Sequence, residues 1–153
     1  MNSLKTSQSA VRIASVRTVG GHVLALRWRD GRNFKVDLLA FIAALPVLRR
    51  LRNTATFQRV KLGEGGHSLV WPNGLDLGAD RLWELTLEQN GRGDTAEFLR
   101  WRWRWGLSLA TAAEALGLSR RQVAYYASGQ HAVPRTVLLA CKGWETEQGI
   151  AAA

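Results

Sequence analysis

The tightest constraint on this chain lies between Ser108 and Gly129. Ser108 precedes one short run, Leu109 to Leu116, and Ser119 precedes another, Arg120 to Ser128. A serine just ahead of a helical run accepts a hydrogen bond from an amide that the first turn leaves unpaired. A glycine just past the run takes the left-handed conformation that ends a helix at least steric cost. Gly117 and Gly129 stand in those places. Two short helices must therefore meet at a corner made of Gly117, Leu118 and Ser119. Ala113, about one turn before Gly117, falls where they cross, and a bulky side chain there would hold them apart. Leu116, Leu118 and Val123 point into the shared core.

Helices flank this corner on both sides. Asp94-Thr95-Ala96-Glu97 has the spacing of a capping box, and the helix behind it runs to about Trp105, where Gly106 stops it. Pro134 suits the first turn of a last helix reaching about Trp144. Between them, Arg100-Trp101-Arg102-Trp103-Arg104-Trp105 alternates with a period of two, which alone suggests a strand. On a helix, Phe98, Trp101 and Trp105 share one face and are expected to fill the core, while Trp103 falls off that stripe. Arg100 and Arg104 share another face.

Charge narrows the partners. The chain carries 21 Lys and Arg against 12 Asp and Glu, a formal net charge of +9. From Phe98 to Lys142 the only acidic residue is Glu114, against Arg100, Arg102, Arg104, Arg120, Arg121, Arg135 and Lys142. Such a balance favours polyanions, nucleic acid first. No apolar run approaches the roughly 18–20 residues that span a bilayer, so no membrane association is expected. Cys141 is the single cysteine. It excludes a disulfide framework within the chain, fits a reducing cytoplasm, and is expected to be buried on a helix. His22, His67 and His131 have no metal-ligand spacing, so neither a metal nor another cofactor is expected.

The segments Gly106-Leu107-Ser108, Ala113, Leu116-Gly117-Leu118-Ser119, Tyr126-Ala127-Ser128-Gly129 and Pro134 occur in register over Phe98 to Trp144. This pattern resembles the lambda-repressor-like, or Xre-type, helix-turn-helix family. The family often has Gln where Leu109 stands and Glu where Ala127 stands, so two usual polar positions are missing. The resemblance implies an all-α domain that binds double-stranded DNA as a homodimer, with the helix 120–128 in the major groove. Ser119, Arg120, Arg121, Gln122 and Tyr125 are then the candidates for reading bases. Arg can bond guanine, and Gln adenine, in bidentate fashion. Arg100, Arg104, Ser108 and Arg135 are the candidates for holding phosphates.

The chain divides at Gln89-Asn90-Gly91-Arg92-Gly93, where small and polar residues mark a linker. Ahead of it, Val11 to Val19 and His22 to Arg29 alternate as strands, joined at Gly20-Gly21. Asp30-Gly31 predicts a two-residue type I′ turn into a third strand, Arg32 to Val36. Asp37 can cap a helix over Leu38 to Leu45, ended by Pro46. Thr56 to Leu62 and Ser68 to Trp71 read as two further strands, and a short helix from about Asp80 carries Leu82, Trp83 and Leu87. Asp30-Gly31, Val36-Asp37-Leu38, Phe57-Gln58-Arg59-Val60 and Trp71-Pro72-Asn73-Gly74-Leu75-Asp76 occur in this order. That succession resembles a family of small bacterial domains of unknown function with a Trp-Pro-Asn-Gly-x-Asp signature, which implies a small α+β domain with an antiparallel sheet.

The expected fold is thus α+β: a small antiparallel-sheet domain with short helices, residues 11–89, and an all-α helix-turn-helix domain, residues 94–146. Residues 90–93 link them, and residues 1–10 and 147–153 are expected to be disordered. The expected function is a sequence-specific DNA-binding transcriptional regulator of bacterial type, cytoplasmic, whose first domain mediates dimerisation or binds a protein partner. An antitoxin-like protein that neutralises a partner through its first domain and autoregulates through its second is the alternative. Trp71, Asn73 and Asp76 are the candidate partner site. A third reading, an enzyme built on the 71–76 turn, is disfavoured. Asp30, Asp37, Asp76 and Asp80 have plain turn or cap roles, and Gly63-Glu64-Gly65-Gly66 does not follow a phosphate-loop pattern.

Overall fold

The structure, a computed structural model, describes residues 11–152. The expected lead-in, residues 1–10, lies outside the described residues. The chain forms two compact units that divide between Asn90 and Gly91. No helix among the described residues is long and apolar enough to cross a membrane.

The first unit opens with strands β1 (Ile13–Gly20), β2 (Val23–Trp28) and β3 (Asn33–Asp37), an antiparallel sheet in the order β1-β2-β3. Period-two patterning decides its faces. Leu24, Leu26 and Trp28 are buried while Arg27 is exposed. Leu24 pairs with Val36 and Leu26 with Phe34, so the apolar rows of β2 and β3 coincide. The β2–β3 turn differs from the expected type I′. Gly31 has φ +92° and Asp30 does not share it. Trp28 N–H donates to Arg32 C=O, and Gly31 N–H donates to Trp28 C=O. The loop is therefore Arg29-Asp30-Gly31, a turn closed by one left-handed glycine. Asp30 Oδ1 accepts from Arg32 N, and its Oδ2 lies 2.7 Å from the guanidinium. Partial burial raises the Asp30 pKa, but the Arg32 bonds and charge outweigh it and hold the carboxyl below its ordinary value.

Helix α1 (Leu39–Ala44) follows, with Asp37 Oδ1 accepting from Leu39 N at 3.0 Å. A 3₁₀ segment, Pro46–Arg52, leads to a one-turn helix α2 (Thr54–Phe57). The expected strand over 56–62 is thus mostly absent. Asn53 caps α2 by accepting from Thr56 N, which nucleates a turn where a strand was expected. Only Lys61–Leu62 remains extended, as β4, pairing with β5 (Ser68–Val70), which pairs with β6 (Asp76–Gly78). Gly66 sits between β4 and β5 at φ +73°, where a Cβ would lie 2.2 Å from Ile13 O, so only glycine fits. Helix α3 (Ala79–Gln89) buries Leu82, Trp83 and Leu87. Trp28 and Trp83 meet edge-on at 4.7 Å in this core, and Phe57 and Trp71 lie 5.9 Å apart.

The second unit holds α4 (Gly93–Arg104), α5 (Leu109–Leu116), α6 (Arg120–Ser128) and α7 (Arg135–Ala152). Its core gathers Phe98, Trp101, Ala112, Ala113, Val123, Tyr126, Val133 and Cys141. Asp94 makes no N-cap bond for α4. It accepts instead from Val133 N at 2.7 Å, tying the start of α4 to the α6–α7 loop. Trp105 departs from the expected core stripe because the helix ends at Arg104. It is 38% exposed, with its ring 5.2 Å from that of Trp144. Arg102 goes the other way: it is buried and donates to Leu107 O. Residues 147–153 were expected to be a disordered tail. Helix α7 instead continues through Gly149 to Ala152, and Ala153 lies outside the described residues.

Candidate nucleic-acid interface

The corner between α5 and α6 is built from local bonds. Ser108 Oγ accepts from Thr111 N at 3.0 Å, and Ser108 N donates to Thr111 Oγ1 at 2.8 Å, closing a reciprocal capping box. Gly117 ends α5 at φ +68°, and Leu118 N–H reaches back to Ala113 C=O. Two residues later Ser119 Oγ accepts from Gln122 N at 3.0 Å and starts α6. Gly129 ends α6 at φ +80°. Ala113 is buried at the crossing, as its size requires, and Val123 and Tyr126 anchor α6 to the core.

That anchoring turns the opposite row of α6 outward. Arg120 and Arg121 are exposed, and Tyr125 is half-buried one turn on. Arg121 Nε donates to the Tyr125 hydroxyl at 2.9 Å, and its guanidinium lies 5.6 Å from the ring centre. Tyr125 stacks obliquely on His131 at 4.4 Å, and Gln122 Nε2 lies 3.2 Å from His131 Nδ1. Arg121, Gln122, Tyr125 and His131 therefore form one cluster. Sequence reasoning missed His131, which lies in the loop beyond Gly129. No spacing signal marks it, because its place depends on how that loop folds back: His131 N–H donates to Tyr125 C=O. The stretch is free of acid, with no carboxylate between Glu114 and Glu145.

The candidate phosphate contacts separate. Ser108 is the cap of α5, and Arg135 is exposed at the start of α7. Arg104 is taken up elsewhere, its Nη1 2.9 Å from Glu145 Oε2. Arg100 and Arg104 line a groove of about 350 Å³ with Glu97, Lys142 and Glu145, between α4 and α7, and no residue of α5 or α6 lines it. The i, i+4 pattern on α4 gave no warning of the Glu145 partner, which comes from α7.

The candidate partner site in the first unit also divides. Trp71 is buried and donates Nε1–H to Phe57 C=O at 2.9 Å, so it is core and not a surface offered to a partner. Asn73 and Asp76 are exposed on the turn, and Asn73 holds φ +80°. The signature is a fold element: Trp71 N–H donates to Leu75 C=O across the turn.

Residues 13–87 match a family model described as "Protein of unknown function (DUF2442)". A solved structure described as "Putative DNA Binding Protein NE0471", from Nitrosomonas europaea ATCC 19718, is 35% identical, with a TM-score of 0.67 over 88% of this chain and 86% of that one. The chain carries a DUF2442 domain over residues 13–87. No curated protein matches it. The DUF2442 segment ends at Leu87, within α3. A likeness spanning 88% of the chain extends further, into the C-terminal helices.

Proposed function

We propose that this DUF2442 protein is a sequence-specific DNA-binding transcriptional regulator. In this reading α5 and α6 form an Xre-type helix-turn-helix, and α6 lies in the major groove. One observation carries it: the cap, corner and cap at Ser108, Gly117 and Ser119 anchor α6 by Val123 and Tyr126 and leave Arg120 and Arg121 exposed in an acid-free stretch. The name of the Nitrosomonas relative supports the same class of ligand. Arg120, Arg121 and Gln122 read base edges, Ser119 and Tyr125 lie close by, and Ser108 and Arg135 position the backbone. Gln122 is steered by His131 and Arg121 by Tyr125. Such a module covers few base pairs, so the protein binds as a homodimer on paired half-sites.

Selection from randomised duplexes with the purified protein tests this. A two-fold related site should emerge, and the double variant Arg120→Ala, Arg121→Ala should lose that preference. Full sequence preference in the variant would sink the reading.

The antitoxin-like alternative draws on the first unit, where Leu39, Leu45 and Val47 are exposed apolar side chains on neighbouring segments, Val47 at 71%. A small protein co-purifying at an equimolar ratio favours it. A clean homodimer favours the plain regulator. In either reading the protein binds and does not catalyse.

A further inference from the structure

We propose that the open face of the β1-β2-β3 sheet is a second binding surface for the phosphate backbone of duplex DNA. It shares a ligand with the reading above but none of its residues. The register places Arg17 opposite Ala25 and Ala25 opposite Lys35, with Ser15, Arg27 and Asn33 forming the next row. Because Ala25 is small, the cations around it enclose a hollow of about 360 Å³. Strands lie about 4.8 Å apart, and same-face residues about 7 Å apart along a strand. Arg17, Arg27 and Lys35 thus form a triangle that long side chains can close on neighbouring phosphates.

All three are exposed, and none has a carboxylate partner among the described residues. Asp37, the acid on the same face, lies two residues beyond Lys35, makes no ion pair with it, and is bonded to Leu39 N. Asp30 is bound to Arg32 in the loop. Three uncompensated cations on an antiparallel sheet gain nothing for folding from their mutual repulsion. Their charge complements a polyanion. The chemistry of the face selects duplex over single strand. Single-strand binders need aromatic platforms for stacked bases. Here the aromatics of β2 and β3 point the other way: Trp28 is buried, and Phe34 lies 5.9 Å from Trp83. Ser15, Asn33 and the cations offer donors for phosphate oxygens.

The test titrates the full chain with duplexes of unrelated sequence, and with single-stranded RNA and DNA of the same length, over a salt series, comparing wild type, Arg17→Gln/Arg27→Gln/Lys35→Gln, and Arg120→Ala/Arg121→Ala. The sheet variant should bind every duplex roughly tenfold or more weakly at about 50 mM salt, and its log K against log salt slope should flatten by about three. Arg17→Lys/Arg27→Lys, which keeps the charges, should restore most of the affinity. An unchanged slope in a sheet variant with wild-type circular dichroism overturns the proposal. So does a loss confined to single-stranded RNA or DNA, which would make the face a single-strand site. The helix variant reports separately: it tests sequence preference, and its outcome leaves the sheet result standing either way.

Discussion

The two units are held together by bonds of different range. In the C-terminal unit the boundaries of α5 and α6 are set within three or four residues. Ser108 bonds Thr111, Ser119 bonds Gln122, and Gly117 and Gly129 turn the chain. In the N-terminal unit local bonds at Asp37 and Asn53 are joined by polar bonds that reach across the chain. Gln89 brackets the Asp37 backbone, Asn90 bonds Lys35 C=O, buried His22 bonds Leu51 C=O at 2.8 Å, and Trp71 bonds Phe57 C=O. Local rules place the elements of the first kind. Elements of the second kind await their tertiary partners. Substitutions in each unit can break this contrast.

The largest effect is expected at Phe98. It is fully buried, 5.7 Å from both Trp101 and Tyr126. Phe98→Ala should cost about 4 kcal/mol, from lost transfer energy and the cavity left behind. Hydrogen exchange followed by segment should show the loss in residues 93–149. Equal loss of protection throughout residues 11–90 would mean that the two units are one cooperative body, and the contrast would fail.

Gly66→Ala comes next. The added Cβ meets Ile13 O at 2.2 Å, and the backbone is left-handed. A backbone oxygen cannot swing aside as a side chain can, so we expect about 3 kcal/mol from overpacking and left-handed strain together. Urea unfolding of the N-terminal unit checks this. A neutral outcome would show that β1 is free to move away from the β4–β5 loop.

The same contrast explains what was legible beforehand. Ser108, Gly117, Ser119 and Gly129 announced the ends of their helices because caps act on amides two or three residues away. The strand pattern of β2 was legible because burial alternates along it. The type I′ turn at Asp30-Gly31 was misread because loop length, fixed by pairing of Arg27 with Asn33, decides the turn class. The strand over 56–62 stands outside this contrast, since Asn53, three residues ahead of Thr56, captures its N–H by a local cap. At the candidate interface, Arg120, Arg121 and Tyr125 were visible as the outward row of a patterned helix. His131 and the engagement of Arg104 by Glu145 were not, since both depend on elements brought in from elsewhere.

Ser119→Ala gives a smaller effect, and a local one. Losing the bond to Gln122 N should cost about 1 kcal/mol, and Ser119→Gly only a few tenths. Thermal unfolding of the two variants side by side measures the difference. If alanine and glycine are alike, the corner is held by Val123 and Tyr126 packing and not by its cap.

The smallest effect at neutral pH, and the one that sharpens the contrast from the other side, is at Cys141. This residue is buried in α7 and belongs to the C-terminal core, so its environment is made by tertiary packing within the unit otherwise governed by local caps. Burial, then the charges of Glu145 and Glu97, push its thiol up to about 12 from an ordinary value of 9.0. A folded-state pKa above the unfolded one means that the unfolded chain releases the proton first as pH rises. The stability tied to the neutral thiol is therefore intact below pH 9 and is lost progressively as pH climbs towards 12. The informative quantity is the difference between wild type and Cys141→Ala. Below pH 9 the difference should be flat. Above it, wild type should lose stability faster than the variant, and hydrogen exchange should confine that loss to the C-terminal unit. Parallel curves through pH 11 would mean that the α4–α7 groove admits water to the thiol, and that packing around Cys141 is looser than the caps of α5 and α6 on the same unit.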